Sequence, residues 1–86
     1  MVKRVNVRVK GRSSYERWSI YQWILEYRDI LEREYGIVLN VSMEDGDEEY
    51  PRLIINSEVI EEPPFEEGYV IEALKKVLDK LFKKEG

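Results

Sequence analysis

Hydrophobic and polar residues follow regular patterns in six successive segments of the chain. Residues 2–10 alternate between valine and polar side chains, which is typical of a half-buried β-strand. Residues 37–43 alternate in the same way, and residues 52–57 and 59–60 are predicted to form a β-hairpin. The segments after the first strand and after the hairpin have helical spacing. The pattern therefore predicts the order strand, helix, strand, strand, strand, helix.

The two helices are predicted from apolar residues that recur at about 100° per residue. The first is expected from Ser14 to about Tyr35, with a Ser13–Glu16 capping box at its start and Gly36 after its end. Its predicted core face comprises Ile20, Trp23, Ile24, Tyr27, Ile30, Leu31 and Tyr35. The second helix is predicted to bury Val70, Ile71, Leu74, Val77, Leu78, Leu81 and Phe82. Each helix therefore has one apolar face available for packing on the sheet.

The element order predicts an α/β fold with a four-stranded mixed sheet. A long helix between the first two strands favours a parallel pair, and the hairpin adds antiparallel strands. Both helices are expected on one face of the sheet, because the strands carry polar residues on the other face. These polar residues are Arg4, Asn6, Arg8, Asn40, Ser42, Arg52 and Asn56. The 86 residues are expected to form a single domain, residues 1–86.

The composition excludes several classes of chemistry. The sequence has no Cys and no His, so these residues supply no disulfide, thiol nucleophile, Cys/His zinc site or imidazole base. We therefore predict no cofactor, and an enzyme is the least favoured class. No segment resembles a membrane span or a signal peptide, so a cytoplasmic protein without a membrane partner is expected. The abundance of charged residues also favours a thermophilic source.

Charge is distributed unevenly along the chain. The net charge of −4 argues against general nucleic-acid binding. Residues 1–12 nevertheless contain five basic residues and no acid, whereas residues 44–67 contain ten acids and only Arg52 as a base. The acidic run at residues 44–49 lacks the ligand spacing of an EF-hand loop, so no metal site is expected there.

The second half of the chain has a recognisable order of elements. Tyr50-Pro51 leads into a strand, a short hairpin and an amphipathic helix over residues 66–81. In the order of elements over nearly all 86 residues, and most specifically in this half, the chain resembles the thioredoxin-like superfamily in its minimal form, similar to glutaredoxins, small archaeal thioredoxins and the selenoprotein W type. The resemblance implies a cis Tyr50–Pro51 bond. Redox members carry C-x-x-C at the start of the first helix, where this chain has Ser13-Ser14-Tyr15-Glu16, so the resemblance implies the fold without thiol exchange.

An aromatic surface is the leading candidate site. The resemblance places the start of the first helix, the proline loop and the loop before the last helix at one end of the sheet. Trp18, Tyr21 and Leu25 form a stripe outside the core face, on a helix about 10 Å longer than the strands. The residues predicted to contact a protein partner or a second copy are Tyr15, Trp18, Tyr21, Leu25, Tyr50, Pro51, Pro64 and Phe65. In the alternative interpretation, Phe65 and Tyr69 cover Trp18 as a small additional core.

Basic residues provide two further candidates. Arg4, Arg8, Arg12 and Arg52 could bind nucleic acid or another phosphoanion on the open sheet face. The start of the first helix could also attract an anion, since Lys10, Arg12 and Arg17 lie nearby, although a simple helix cap explains the same residues. The favoured hypothesis remains a redox-inactive binding module that acts through the aromatic surface.

Overall fold

Four strands and two helices follow one another in the computed structural model, which describes residues 3–61 and 63–82. They are β1 (Lys3–Gly11), α1 (Tyr15–Tyr35), β2 (Ile37–Asp45), β3 (Arg52–Ile55), β4 (Glu58–Ile60) and α2 (Glu67–Leu81). The predicted element order is confirmed. β2 extends two residues beyond its predicted end, because Glu44 and Asp45 continue the pairing with Lys10 and Gly11 of β1.

The start of α1 differs by one residue from the prediction, whereas its end agrees. Ser14 is the extended N-cap residue, and its Oγ accepts a hydrogen bond of 3.1 Å from the N–H of Arg17. The predicted Ser13–Glu16 capping box is wrong, because Arg17, not a glutamate, is the third helical residue after the cap. Gly36 ends the helix as predicted, with a left-handed φ of 64°.

The strands form one mixed sheet in the order β2-β1-β3-β4. β1 pairs in parallel with β2, whereas β3 is antiparallel to both β1 and β4. Asn56 begins the turn between β3 and β4 with a φ of 54°, a conformation that asparagine tolerates better than most residues. Its N–H donates to the carbonyl of Asn6 at 2.8 Å. The predicted parallel pair and the predicted antiparallel hairpin are both confirmed.

Both helices pack on one face of this sheet, around a single apolar core. The buried cluster contains Val5, Val7, Val9, Ile20, Ile24, Leu31, Ile37, Leu39, Leu53, Ile55, Val70, Ile71, Leu74 and Leu78. Strand residues in the cluster alternate along β1 and β3, and helix residues recur at helical spacing. The predicted α/β architecture is therefore confirmed at the level of a four-stranded mixed sheet with two helices.

Three apolar residues depart from their predicted environments. Ile30 is 46% exposed, because it lies six residues after Ile24 and so about 120° away from the buried row. Tyr21, predicted on the outer stripe, packs against the core, because it lies only about 60° from Ile24 around the helix. Leu81 is exposed at the last residue of α2.

The other face of the sheet carries polar side chains, as predicted. Arg4 is exposed there, and Arg8 and Arg52 are half-buried. Ile54 lies on the same face but is only 9% exposed. It lies opposite Arg8 on one side and Val59 on the other, and long side chains cover apolar neighbours across strands. This face therefore carries polar side chains over most of its surface, with Val59 48% exposed beside the buried Ile54.

The loop between β2 and β3 corrects the prediction at Pro51. The Tyr50–Pro51 bond is trans, so the predicted cis bond is wrong. The trans state of such a bond is intrinsically favoured by about 0.5–1 kcal/mol, and the loop closes against β1 in that state. A Cβ added to Gly11 would lie 3.0 Å from the Cα of buried Pro51. This close approach of two backbones therefore favours glycine at position 11.

Candidate protein-binding surface

Aromatic rings gather where the start of α1 meets the loop before α2. The ring centre of Phe65 lies 6.1 Å from that of Tyr15, edge to face, and 5.0 Å from that of Trp23. The ring of Tyr15 stacks on Trp18 at 6.3 Å. These distances fall within the range of about 4.5–7 Å at which aromatic pairs attract. We refer to Tyr15, Trp18, Trp23 and Phe65 as the aromatic patch.

The aromatic patch is anchored on one side and open on the other. Trp23 is half-buried and packs against the core. Tyr15, Trp18 and Phe65 are 70%, 49% and 42% exposed. Large apolar side chains that cluster at a surface mark candidate protein contacts. The patch is therefore assembled within the chain while most of its outer surface stays open.

Tyr50 and Pro51 hold the loops at this end in place and offer little surface to a partner. The hydroxyl of Tyr50 donates a hydrogen bond of 2.7 Å to the carbonyl of Pro63, two residues before Phe65. Pro51 is buried, and Tyr50 is half-buried. Pro64 is exposed beside Phe65. Of the predicted contact residues in these two loops, Pro64 and Phe65 are the exposed ones.

The predicted stripe of Trp18, Tyr21 and Leu25 follows one side of α1, but its three residues have different surroundings. Trp18 joins the aromatic patch, whereas Tyr21 packs against the core and Leu25 is half-buried. Glu32 lies seven residues after Leu25 and so on the same side of the helix. Its Oε2 accepts a hydrogen bond of 2.8 Å from the N–H of Leu39 in β2. Tyr21 and Leu25 therefore lie on the side of α1 that faces β2.

Trp23 is the patch residue that the sequence pattern assigned to the core alone. It both packs inward and supports the ring of Phe65. The alternative in which Phe65 and Tyr69 cover Trp18 is not observed, since Phe65 contacts Tyr15 and Trp23 while Tyr69 is exposed. The spacing of eight residues from Tyr15 is the signal that could have identified Trp23, because it places both within about 80° around the helix.

Carboxylates border the aromatic patch on the α2 side. Glu66 and Glu67 follow Phe65 directly and are exposed, and with Tyr69 and Glu72 they line a shallow groove. Within the described ranges, these three glutamates form no ion pair. The border of the patch is therefore negative, which favours basic groups on a partner.

The arginines predicted to bind anions are Arg4, Arg8, Arg12 and Arg52. Two of them form ion pairs with neighbouring carboxylates. Nη1 of Arg8 lies 2.8 Å from Oε1 of Glu44. Nε of Arg52 lies 3.4 Å from Oε2 of Glu48. The other two arginines are exposed. A phosphate would therefore compete with carboxylates for two of these four arginines.

Arg17, considered as an anion ligand at the helix start, is instead enclosed between strand ends. Its Nη1 donates to the carbonyls of Gly11 and Glu44 at 2.9 and 3.2 Å, and to Oδ1 of Asp45 at 2.8 Å. The side chain is only 12% exposed. Arg17 therefore ties the start of α1 to the ends of β1 and β2 and is not presented to a ligand.

Comparisons with known proteins assign no family to the chain. It matches no protein-family model, and searches of curated proteins and of solved structures find no match. Across residues 3–61 and 63–82, no group of three acidic, His or Cys side chains is placed to hold a metal ion. No helix of that part combines the length and apolar character needed to cross a membrane. The function is therefore inferred from the chemistry of the surface.

Proposed function

We propose that this chain is a redox-inactive, thioredoxin-like binding module that contacts a protein partner through the aromatic patch. One observation carries the proposal: Tyr15, Trp18 and Phe65 are linked by ring contacts while at least 42% of each remains exposed. Rings that already pack together lose little further conformational freedom when a partner covers them. Such a surface can convert apolar burial efficiently into affinity.

The sheet supports the thioredoxin-like part of the proposal. The order β2-β1-β3-β4, with one parallel pair and both helices on one face, is the arrangement expected of that fold. The trans Tyr50–Pro51 bond departs from the family pattern. The chain also departs from it at Ser13-Ser14-Tyr15-Glu16, where redox members carry thiols. Since the sequence contains no cysteine, these residues cannot perform thiol–disulfide exchange.

The chemistry of the patch favours a partner with apolar and basic side chains side by side. Burying a fully exposed aromatic side chain contributes about 1.5–3 kcal/mol, and the three rings are 42–70% exposed, so covering each contributes roughly half of that. Glu66 and Glu67, which form no ion pair within residues 3–61 and 63–82, would attract Lys or Arg at the border and discriminate against acidic surfaces. A partner of that kind would place its apolar residue over Trp18 and Phe65.

A nucleic-acid or phosphoanion partner on the arginine face is the alternative, and it has less support. Arg8 and Arg52 already pair with acids, and the neighbouring side chains are asparagines, not aromatic rings on which bases could stack. The two hypotheses differ in salt dependence. Binding to phosphates weakens steeply as salt rises, whereas aromatic burial does not.

Two matched alanine variants test the proposal. Trp18→Ala removes a ring from the patch, and Ile30→Ala removes a similarly exposed side chain about 18 Å further along α1. The measurements are the melting temperature and the affinity for a partner captured with the wild-type chain. We expect Trp18→Ala to weaken partner binding about 30-fold at nearly unchanged melting temperature, and Ile30→Ala to change neither.

Two results would contradict this assignment of Trp18. A fall of many degrees in melting temperature would make Trp18 part of a small core. Unchanged affinity and stability would make it an ordinary solvated side chain. Loss of binding in an Arg4→Ala variant, with a steep salt dependence, would favour the phosphoanion alternative.

A further inference from the structure

The two edges of the sheet differ in how well they are protected from pairing with another strand. β4 has three residues and β2 has nine. Natural proteins protect an edge by keeping it short or by placing Pro, Lys or a bulge in it. β4 is short, whereas β2 contains no Pro, Lys or Arg and pairs with β1 without a bulge along its whole length. β2 is therefore the less protected edge.

Only the first half of this edge is blocked by the chain itself. Glu32 accepts a hydrogen bond from the N–H of Leu39, which therefore points away from β1. Backbone groups alternate between the two sides of a strand, so the N–H groups of Val41 and Met43 point the same way. Within the described part of the chain, neither N–H is bonded to a side chain or loop. The outer edge is open from residue 40 to residue 45.

Apolar side chains border the open edge on the face that the helices cover. Val41 is half-buried and Met43 is 40% exposed. Tyr21 and Leu25 lie on the side of α1 from which Glu32 reaches β2. An incoming strand therefore needs apolar side chains on this face and polar ones on the open face. β2 has that alternation itself.

We propose that β2 pairs in antiparallel fashion with β2 of a second copy, across a twofold axis at Ser42. The two sheets then form one sheet of eight strands. A twofold contact closes on itself, whereas pairing β2 with β4 of another copy would build open filaments. This contact uses the β2 edge and does not rest on the function proposed for the aromatic patch.

The pairs that face each other across the axis are chemically compatible. Ser42 lies opposite Ser42, Val41 opposite Met43, and Asn40 opposite Glu44. Directly opposite residues are the main determinants of pairing between strands, and like charges at such positions are unfavourable. In this arrangement no charge of β2 lies opposite a like charge. Hydrogen bonds form through residues 41 and 43, whose outward N–H groups have no side-chain or loop partner among the described residues.

Neighbouring positions of the axis fit less well. An axis at Val41 would require the N–H of Leu39, which Glu32 already occupies. An axis at Met43 would bring the carboxylate of Asp45 into the contact, opposite Val41, whereas with the axis at Ser42 Asp45 faces Leu39 beyond the last hydrogen-bonded pair. The intramolecular bond of Glu32 therefore disfavours the Val41 axis and limits the length of the contact.

Sedimentation equilibrium of the full chain tests the pairing, because a dimer has twice the 10.3 kDa mass of one chain. Ser42→Lys and Ser42→Glu each place like charges on the axis and should raise the dissociation constant at least about fivefold. An equal mixture should restore association, since opposite charges then face each other. Ser57→Lys adds the same charge in the exposed β3–β4 turn and should dimerise like the wild type.

A second variant tests the register in the opposite direction. Residue 40 lies opposite Glu44 of the second copy, so Asn40→Lys should lower the dissociation constant of the dimer. Circular dichroism verifies that each variant is folded. The proposal is overturned if the wild type is monomeric at about 1 mM, if Ser42→Lys associates normally, or if mixing restores nothing. Phe65→Ala removes a patch ring that lies outside α1 and should leave the dimer intact, so failure of the patch proposal and failure of this one are distinguishable.

Discussion

Replacing Arg17 with methionine removes the guanidinium that joins α1 to the ends of two strands. Its Nη1 donates to the carbonyls of Gly11 and Glu44 and to the carboxylate of Asp45. Methionine retains much of the apolar stem, so the main loss is that of the donors. Both carbonyls then lie near the helix start without their charged partner. We expect the unfolding free energy to fall while the fold is retained.

The expected loss for Arg17→Met is about 2–4 kcal/mol. A hydrogen bond to a charged group contributes about 1.5–3 kcal/mol, and two backbone acceptors are involved. The ion pair adds little, because Asp45 is 94% exposed. Nε of Arg17 is buried without a partner in the described part of the chain, and its removal offsets part of the loss. The melting temperature should fall by about 10–30 °C.

Urea denaturation and thermal melting measure this loss, with Asp45→Asn as the control. Asp45→Asn keeps an acceptor for Arg17 and removes only an exposed charge, so it should cost less than about 0.5 kcal/mol. If Arg17→Met costs no more than Asp45→Asn, the backbone hydrogen bonds of Arg17 do not stabilise the fold.

Substitutions at three further positions test other contacts by the same denaturation measurements. Gly11→Ala should lower the unfolding free energy by about 1–3 kcal/mol, because the new Cβ would crowd buried Pro51. An unchanged denaturation midpoint would show that the loop between β2 and β3 moves away without cost. Asn56→Ala should cost about 1 kcal/mol through its positive φ and its lost hydrogen bond, and Asn56→Gly should cost less. Burial and the hydrogen bond to Asp79 raise the pKa of Tyr35. The stabilising contribution of the Tyr35 hydroxyl is therefore complete below the pKa of about 10 of an unfolded tyrosine, and it is lost as the pH rises further. The unfolding free energy of Tyr35→Phe should therefore decline less between pH 9 and 11 than that of the wild type.

Local patterns were sufficient to predict most of the fold. The alternation around Val5, Val7 and Val9 identifies β1 and its buried face, because successive side chains of a strand point to opposite sides. Gly36 marks the end of α1, because few other residues adopt a positive φ without cost. These features depend on neighbours in sequence, so the sequence alone can report them.

The candidate site was less predictable, because it depends on contacts between distant segments. The exposure of Tyr15, Trp18 and Phe65 agrees with the predicted surface. The pairing of Phe65 with Trp23, and the burial of Pro51, required knowledge of where two loops pack. No periodicity in one segment reports the position of another.

The amino-acid sequence by itself determined the elements, their order, the polar face of the sheet and the absence of thiol chemistry in these residues. Tertiary structure decided which exposed rings contact each other, which arginines form ion pairs and which edge of the sheet is open. Ile54 illustrates the difference: its position in β3 assigns it to the open face, yet Arg8 and Val59 on neighbouring strands lie beside it and leave it buried. Periodicity follows from backbone geometry within one element, whereas burial and pairing depend on the side chains that other elements bring into contact.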